Sequence, residues 1–284
     1  KHELGLPLIT TFHTLARVKA QSGDAEPPAR IRAEGEVVGC SDILLANSAE
    51  EVRQLVDLYD ADRSRIEVVP PGVDHAFFTP GSQVVARRAT GLGAGSVLLF
   101  AGRIQPLKGV DVAVRTLAEL GRPDARLVVV GGASGSAGEA EALRVRRIAE
   151  SHGLVDRVQF VDPQPHHCLA YWYRASDVVL MPSRSESFGL VALEAAACGI
   201  PVVAAAVGGL RTLVDHGRTG YLVDGRDPST YAAHVAEILD DPIAASEMST
   251  AATQRSWSYT WSATAARLRR ICDDLSSRVL VDCA

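Results

Sequence analysis

The chain has 284 residues, enough to bury one large core or two smaller ones, and its 47% hydrophobic and 22% charged content is ordinary for a soluble α/β protein. A formal net charge of −5 and a pI near 5.9 argue against a nucleic-acid or anionic-membrane binder. No secretory leader is visible. The one long apolar stretch, Gly189 to Leu210, carries Glu194 and is broken by glycines and Pro201, as a helix followed by a buried parallel strand would be. Cys40, Cys168, Cys198, Cys272 and Cys283 have no CxxC spacing and are odd in number, which predicts free thiols in a reducing cytosol.

Short apolar runs alternate with helical patterns along nearly the whole chain, and this predicts an α/β fold of parallel sheets covered by helices. In chain order the expected strands are Leu8–Phe12, Ile43–Ala46, Ile66–Val69, Val97–Ala101, Arg126–Val130, Val158–Val161, Val178–Met181, Val202–Ala204 and Gly220–Val223. Pro70-Pro71-Gly72-Val73-Asp74 and the residues up to Gly81 interrupt the rhythm and read as a linker. The expected division is a partial first domain over 1–80, a complete Rossmann-like domain over 81–255, and a last helix (Ala263 to Leu275) with a tail within 256–284. Three strands before the linker against six after it suggest that the front of the first domain is absent from this sequence.

Several segments carry chemistry. His13 comes directly off the first expected strand, where an imidazole can face a cleft, although a single histidine there is more commonly a structural hydrogen-bonder. Asp60-Ala61-Asp62 has the form of a metal-binding DxD motif, but between a helix and a strand aspartates serve as turn formers. The loop Gly102-Arg103-Ile104-Gln105-Pro106-Leu107-Lys108-Gly109 places two cations between glycines. Arg103 with its bidentate fork and Lys108 with its compact charge can converge on a diphosphate. Lys108 is followed by glycine rather than Ser or Thr, so the hydroxyl of a Mg–ATP P-loop is lacking. Gly131 and Gly132 end the next strand and allow close approach of backbone to ligand. His166-His167-Cys168 offers ligand atoms, but neighbours on a helix point apart and no second ligand pair is near, so no metal site is expected.

Pro182 to Ala195 is the most informative stretch: an apolar strand, a polar loop and a helix start, with Glu186 and Glu194 framing it. With a helix beginning near Phe188, Glu186 stands in the loop and Glu194 lies about one and a half turns in, roughly 8 Å along the axis. The free amides of Ser187, Phe188, Gly189 and Leu190 and the helix dipole favour an anion there. A diphosphate on those amides would leave one carboxylate beside each of its two substituents, which suits a nucleotide-sugar.

The Glu186–Glu194 pair, the intervening Ser187-Phe188-Gly189 and the following Gly199-Ile200-Pro201-Val202-Val203 resemble the carboxylate pair of retaining nucleotide-sugar glycosyltransferases of family 4, which have the two-domain GT-B fold. The resemblance implies that Glu186 positions the donor sugar without acting as a nucleophile. It implies that Glu194 binds the ribose, that Arg103 and Lys108 neutralise the leaving diphosphate, and that His13 borders the anomeric carbon. The donor set it implies is Gly102, Arg103, Lys108, Gly131, Gln164, Glu186, Ser187, Phe188, Gly189, Leu190 and Glu194, with Gly208-Gly209 near the donor loop. Thr10 to Lys19 is similar to the acceptor side of enzymes acting on phosphorylated polyols, namely the inositol-phosphate N-acetylglucosaminyltransferases of the mycothiol pathway and the sucrose-phosphate synthases. Thr14, Lys19 and Arg30 would then grip an acceptor phosphate. Gln164 stands where the inositol-phosphate transferases often have Arg, which leaves UDP, GDP and ADP open as the nucleotide. No cofactor is required on this resemblance, and no motif indicates Mg. The expected partners are a nucleotide-sugar donor and a small polyol or sugar-phosphate acceptor, with a cytoplasmic location and a homodimer as further expectations. The rivals are a sugar-nucleotide 2-epimerase, which releases a changed sugar nucleotide with no acceptor, and a nucleotide-sugar-binding remnant that turns nothing over.

Overall fold

Apolar runs too short for a helix and bounded by turn residues pair as parallel strands from one end of the chain to the other. The computed structural model describes residues 1, 3–23, 25–135, 137–275 and 280–281. In chain order the elements are β1 (Ile9–Thr11), α1 (Ala16–Gln21), α2 (Pro28–Cys40), β2 (Ile43–Ala46), α3 (Ala49–Tyr59), β3 (Ile66–Val68), α4 (Gln83–Thr90), β4 (Val97–Ala101), α5 (Val110–Leu120), β5 (Arg126–Val130) and α6 (Gly138–Ser151). They continue with β6 (Val158–Val161), α7 (His166–Ala175), β7 (Val178–Met181), α8 (Leu190–Ala197), β8 (Val202–Ala205), α9 (Leu210–Leu213), β9 (Gly220–Val223), α10 (Pro228–Asp240), α11 (Pro242–Ser256) and α12 (Trp261–Leu275). The strands form a three-stranded sheet, β1-β2-β3, and a six-stranded sheet, β6-β5-β4-β7-β8-β9, with every pairing parallel.

β4 explains the apolar runs. Val97, Leu99 and Ala101 enter one core with residues of α7 and α8, while Leu98 and Phe100 enter the opposite core with residues of α5, α6 and α10. Side chains alternate across a strand, so a strand covered on both faces has no polar position to offer. β1 is one residue shorter at each end than expected, because the Leu8 carbonyl already accepts from the amide of Asp42, 2.9 Å away, in the turn before β2. α12 begins at Trp261 rather than Ala263, and the Thr260 hydroxyl accepts from the Ala263 amide at 3.1 Å. It lies against the three-stranded sheet: Ile271 and Leu275 pack with Ile43 and Val69, Thr264 Oγ1 donates to the Pro70 carbonyl at 2.8 Å, and Arg267 pairs with Glu67 at 2.8 Å.

The loops at the carboxyl end of the six-stranded sheet are in backbone contact. Gly131 has φ +151°, and a Cβ there would stand 1.9 Å from the Gly102 carbonyl oxygen, while Gly102 itself donates its amide to the Val130 carbonyl at 2.9 Å. Glycine at 131 is therefore a requirement of the crossing between the loops after β4 and β5. Cys168, Cys198 and Cys272 are free thiols, but Cys40 is disulfide-bonded, which corrects the expectation of free thiols throughout. The lack of a CxxC spacing does not exclude a disulfide; Cys283 lies outside the described residues. Among the described residues no helix is long and apolar enough to cross a membrane.

α3 opens with a capping box. Ser48 Oγ accepts from the Glu51 amide at 3.2 Å, and Glu51 Oε2 accepts from the Asn47 amide at 2.5 Å. Glu51 is only 2% exposed, and burial outweighs its hydrogen bonds with Asn47, raising its pKa from the ordinary 4.5 to about 7. The folded state then holds a proton that the unfolded chain has released. The associated stability is full below the unfolded value of 4.5 and is lost as pH rises towards about 7, a change on the order of 3 kcal/mol. Urea unfolding at about pH 5 and about pH 8 should therefore show the native protein losing stability relative to Glu51→Gln as pH rises; parallel pH dependences would refute this assignment. Gly131→Ala should lower the unfolding free energy by about 2 kcal/mol or more, because backbone must move; an unchanged denaturant midpoint would contradict the crossing described above.

Candidate active site

In the six-stranded sheet the strand order reverses at β4: β5 and β6 lie on one side of it, β7, β8 and β9 on the other. Loops leaving neighbouring strands at such a switch point diverge, and the crevice outside their carboxyl ends is where open α/β sheets hold ligands. The loops that meet here are Gly102 to Gly109, after β4, and Pro182 to Gly189, after β7. The Arg184 amide donates to the Leu107 carbonyl at 2.8 Å, so their backbones are tied.

The geometry brings Lys108 and Glu186 together: Nζ donates to Glu186 Oε2 at 2.6 Å, with Ser183 Oγ 3.5 Å from the same oxygen. Both side chains are largely buried, at 20% and 15% exposure, so the ion pair spans the crevice with limited water screening. Arg103 is exposed at the rim and has no hydrogen-bond or ion-pair partner among the described residues. Lys108 is therefore already balanced, whereas Arg103 is free to meet an anion. Gly208 follows β8 and passes so close that a Cβ there would lie 1.8 Å from the Glu186 carbonyl oxygen, and Gly209 donates its amide to that oxygen at 3.0 Å. The Gly208-Gly209 pair thus fixes the peptide of Glu186.

The helix after this loop starts two residues later than the sequence suggests. Phe188 is a buried anchor, 4% exposed, edge-on to Tyr259, and Gly189 caps α8 in a left-handed conformation with φ 104°. A right-handed helix cannot include that residue. The first helical bond runs from the Leu193 amide to the Gly189 carbonyl at 3.1 Å, so the helix itself leaves the amides of Gly189, Leu190, Val191 and Ala192 free, a set that shares Gly189 and Leu190 with the expected one. Leu190 is 45% exposed at this edge. Glu194, one turn further, is 7% exposed and has no lysine or arginine among its hydrogen-bond partners. Its Oε2 accepts from the Tyr173 hydroxyl at 2.7 Å, and its Oε1 lies 2.9 Å from His166 Nε2. Burial first, and then the Glu194 charge, push the Tyr173 phenol well above its ordinary range, so it remains a donor. Neither residue is evident from motif spacing, although seven positions on one helix, α7, place them on the same face. Gln164 turns back on its own loop, donating to the Asp162 carbonyl at 2.9 Å.

On the three-stranded side, His13 follows β1, is exposed, and presents its carbonyl to Ser187 Oγ at 2.7 Å. The loop after β1 therefore touches the loop after β7. Thr14, Lys19 and Arg30 also converge. Arg30 donates to Thr14 Oγ1 at 3.1 Å, to Glu26 at 2.9 Å and to Glu34 at 2.9 Å, and Lys19 pairs with Glu26. The Lys19 hydrogen bond in particular holds the Glu26 carboxyl below its usual range. Glu34, which sequence reasoning does not single out, is buried. It accepts from the Ala16 amide at 2.8 Å and from the Tyr59 hydroxyl at 2.6 Å, and so satisfies the start of α1, which has no side-chain cap of its own. Asp60 sits left-handed at the end of α3, and Asp62 accepts from the amide and hydroxyl of Ser64, so both serve the turn. Among the described residues no three His, Cys, Asp or Glu side chains stand close enough to hold a metal.

Two family models match the chain: glycosyl transferases group 1 over residues 86–255 and glycosyltransferase family 4 over residues 1–77. The D-inositol 3-phosphate glycosyltransferase of Thermobispora bispora is 47% identical over 98% of this chain and 68% of its own length. D-inositol 3-phosphate glycosyltransferase 2 of Catenulispora acidiphila is 49% identical over 94% of this chain and 65% of its own. Among solved structures, sucrose-phosphate synthase from Thermosynechococcus elongatus superimposes with a TM-score of 0.87 at 30% identity, covering 95% of this chain and 68% of that one. The chain thus spans about two thirds of the length of these relatives. With matching models over both sheets, and a cationic loop facing a carboxylate pair at the switch point, the chain belongs to the group 1, family 4 glycosyltransferases and has their GT-B type α/β fold.

Proposed function

We propose that this protein transfers a sugar, with retention at the anomeric carbon, from a nucleoside diphosphate to a hydroxyl of a small phosphorylated polyol. The preferred pair is UDP-N-acetylglucosamine as donor and an inositol phosphate as acceptor. The observation that carries the reading is the Lys108–Glu186 pair across the switch point, with exposed Arg103 beside it, in a chain of this family. The relatives' activity on inositol 3-phosphate supports the acceptor class.

In this mechanism the bond from the anomeric carbon to the diphosphate breaks, and its electron pair leaves with the diphosphate. Positive charge grows on the sugar and negative charge on the phosphate oxygens. Arg103, Lys108 and the free amides at the start of α8 stabilise the phosphate charge, in place before the reaction begins. Glu186, held by Lys108, orients the sugar hydroxyls, and Glu194 takes the ribose. The acceptor hydroxyl attacks from the face the diphosphate leaves, and its proton passes to the departing phosphate oxygen beside it. His13, next to the donor loop through Ser187, borders the reacting carbon. An acceptor phosphate binds at Thr14, Lys19 and Arg30 by displacing Glu26 from the two cations.

Incubation with UDP-N-acetylglucosamine and inositol 3-phosphate should give a glycoside detectable by mass spectrometry; an altered sugar nucleotide with no glycoside would overturn the transferase reading. Arg103→Ala should lower kcat by about 10²–10³-fold, as removal of one oxyanion partner commonly does, and near-normal turnover would remove its role on the diphosphate. Arg30→Ala should raise the acceptor KM by about tenfold or more while leaving donor affinity unchanged, and an unchanged acceptor KM would remove the phosphate assignment.

A further inference from the structure

The carboxylate of Glu194 is held at both oxygens by one helix. Tyr173, fully buried, donates its hydroxyl to Oε2 at 2.7 Å, and His166 Nε2 lies 2.9 Å from Oε1, where a carboxylate that can only accept requires the ring proton. His166 is itself steadied by the ring of Phe78, edge-on at a centroid distance of 4.8 Å, and Phe78 also packs edge-on against Tyr173 at 5.9 Å. A carboxylate with one donor on each oxygen can no longer rotate about its last bond without losing both. Each oxygen keeps one further lone-pair site. Two free acceptor sites side by side match two vicinal hydroxyls, each giving one proton.

We propose that Tyr173 and His166 are positioning residues that lock Glu194 as a double acceptor, so that the site selects donors whose ribose carries both the 2′ and the 3′ hydroxyl. The proposal rests on the reading that Glu194 takes the ribose. A phenol and an imidazole achieve this lock with one proton each, whereas a lysine or arginine beside Glu194, with several donors, would compete with the ribose for the same lone pairs. Glu194 therefore keeps a lone-pair site on each oxygen available inside a nearly closed site.

The test is calorimetric titration of the intact chain with the tightest binder among UDP, GDP and ADP, and with the 2′,3′-dideoxy form of the same nucleotide. The native protein should prefer the ribose form by roughly 100-fold or more, on the scale of two hydrogen bonds to a charged group. Tyr173→Phe removes only the hydroxyl. It should cut that preference about tenfold, leave affinity for the dideoxy nucleotide unchanged, and add nothing further in a Glu194→Gln background. A purely structural role would lower thermal stability or weaken both nucleotides equally, and either result with the preference intact overturns the proposal. His166→Ala removes a side chain that is 62% exposed and carries the same test should Tyr173→Phe fail to fold. If the native chain binds both nucleotides equally, the ribose reading falls, and the positioning role with it. A preference that survives in both variants removes the positioning role alone.

Discussion

The reversal of strand order between β4 and β7 is the constraint on which the site depends. A strand, crossover helix and parallel strand are joined right-handedly, so a chain that runs outward from β4 to β6 and then returns to lay β7 on the other side must send its loops apart at that point. The gap is then narrowed by backbone rather than filled by side chains. Arg184 bonds to Leu107, Gly209 bonds to the Glu186 carbonyl, and Gly131 lies against Gly102. The glycines are where the crossings require them, and a methyl group at any of these close approaches would push the loops out of register.

Within that frame the two carboxylates are held by opposite means. Glu186 sits against Lys108 in an ion pair sheltered from solvent, so its orientation follows from charge. Glu194 is buried with hydrogen bonds from a phenol and an imidazole and no lysine or arginine, so its orientation follows from helix α7. A buried carboxylate with free lone pairs is costly for folding alone, and such groups are kept where a ligand completes them. The acceptor side follows the same logic. Lys19 and Arg30 are balanced by Glu26 and Glu34, which keeps like charges from repelling one another until a phosphate arrives. Ser187, bonded to the His13 carbonyl, joins the two sides at the point where the reacting atoms would meet.

Much of this was legible in the sequence because the physics behind it is local. Strands buried on both faces must be apolar throughout, which is why β4 and β7 are found where the runs of Val97 and Val178 begin. Arg103, Lys108, Glu186 and Glu194 are recognisable because each follows a strand end or a helix start at fixed spacing. The start of α8 is misplaced by two residues in sequence reasoning because Phe188 looks helical, and only its packing on Tyr259 and the left-handed Gly189 show otherwise. His166, Tyr173, Glu34 and Tyr59 are invisible to spacing alone, since their roles depend on contacts made between elements far apart in the chain. The Cys40 disulfide is missed because the five cysteines show no CxxC spacing.

The most direct test of the account is a crystal structure of the chain soaked with UDP-N-acetylglucosamine. The diphosphate should lie between Arg103, Lys108 and the amides at the start of α8, the ribose hydroxyls on Glu194, and the sugar between Glu186 and His13. Density for the nucleotide away from the carboxyl ends of β4 and β7, or a ribose turned away from Glu194, would contradict it.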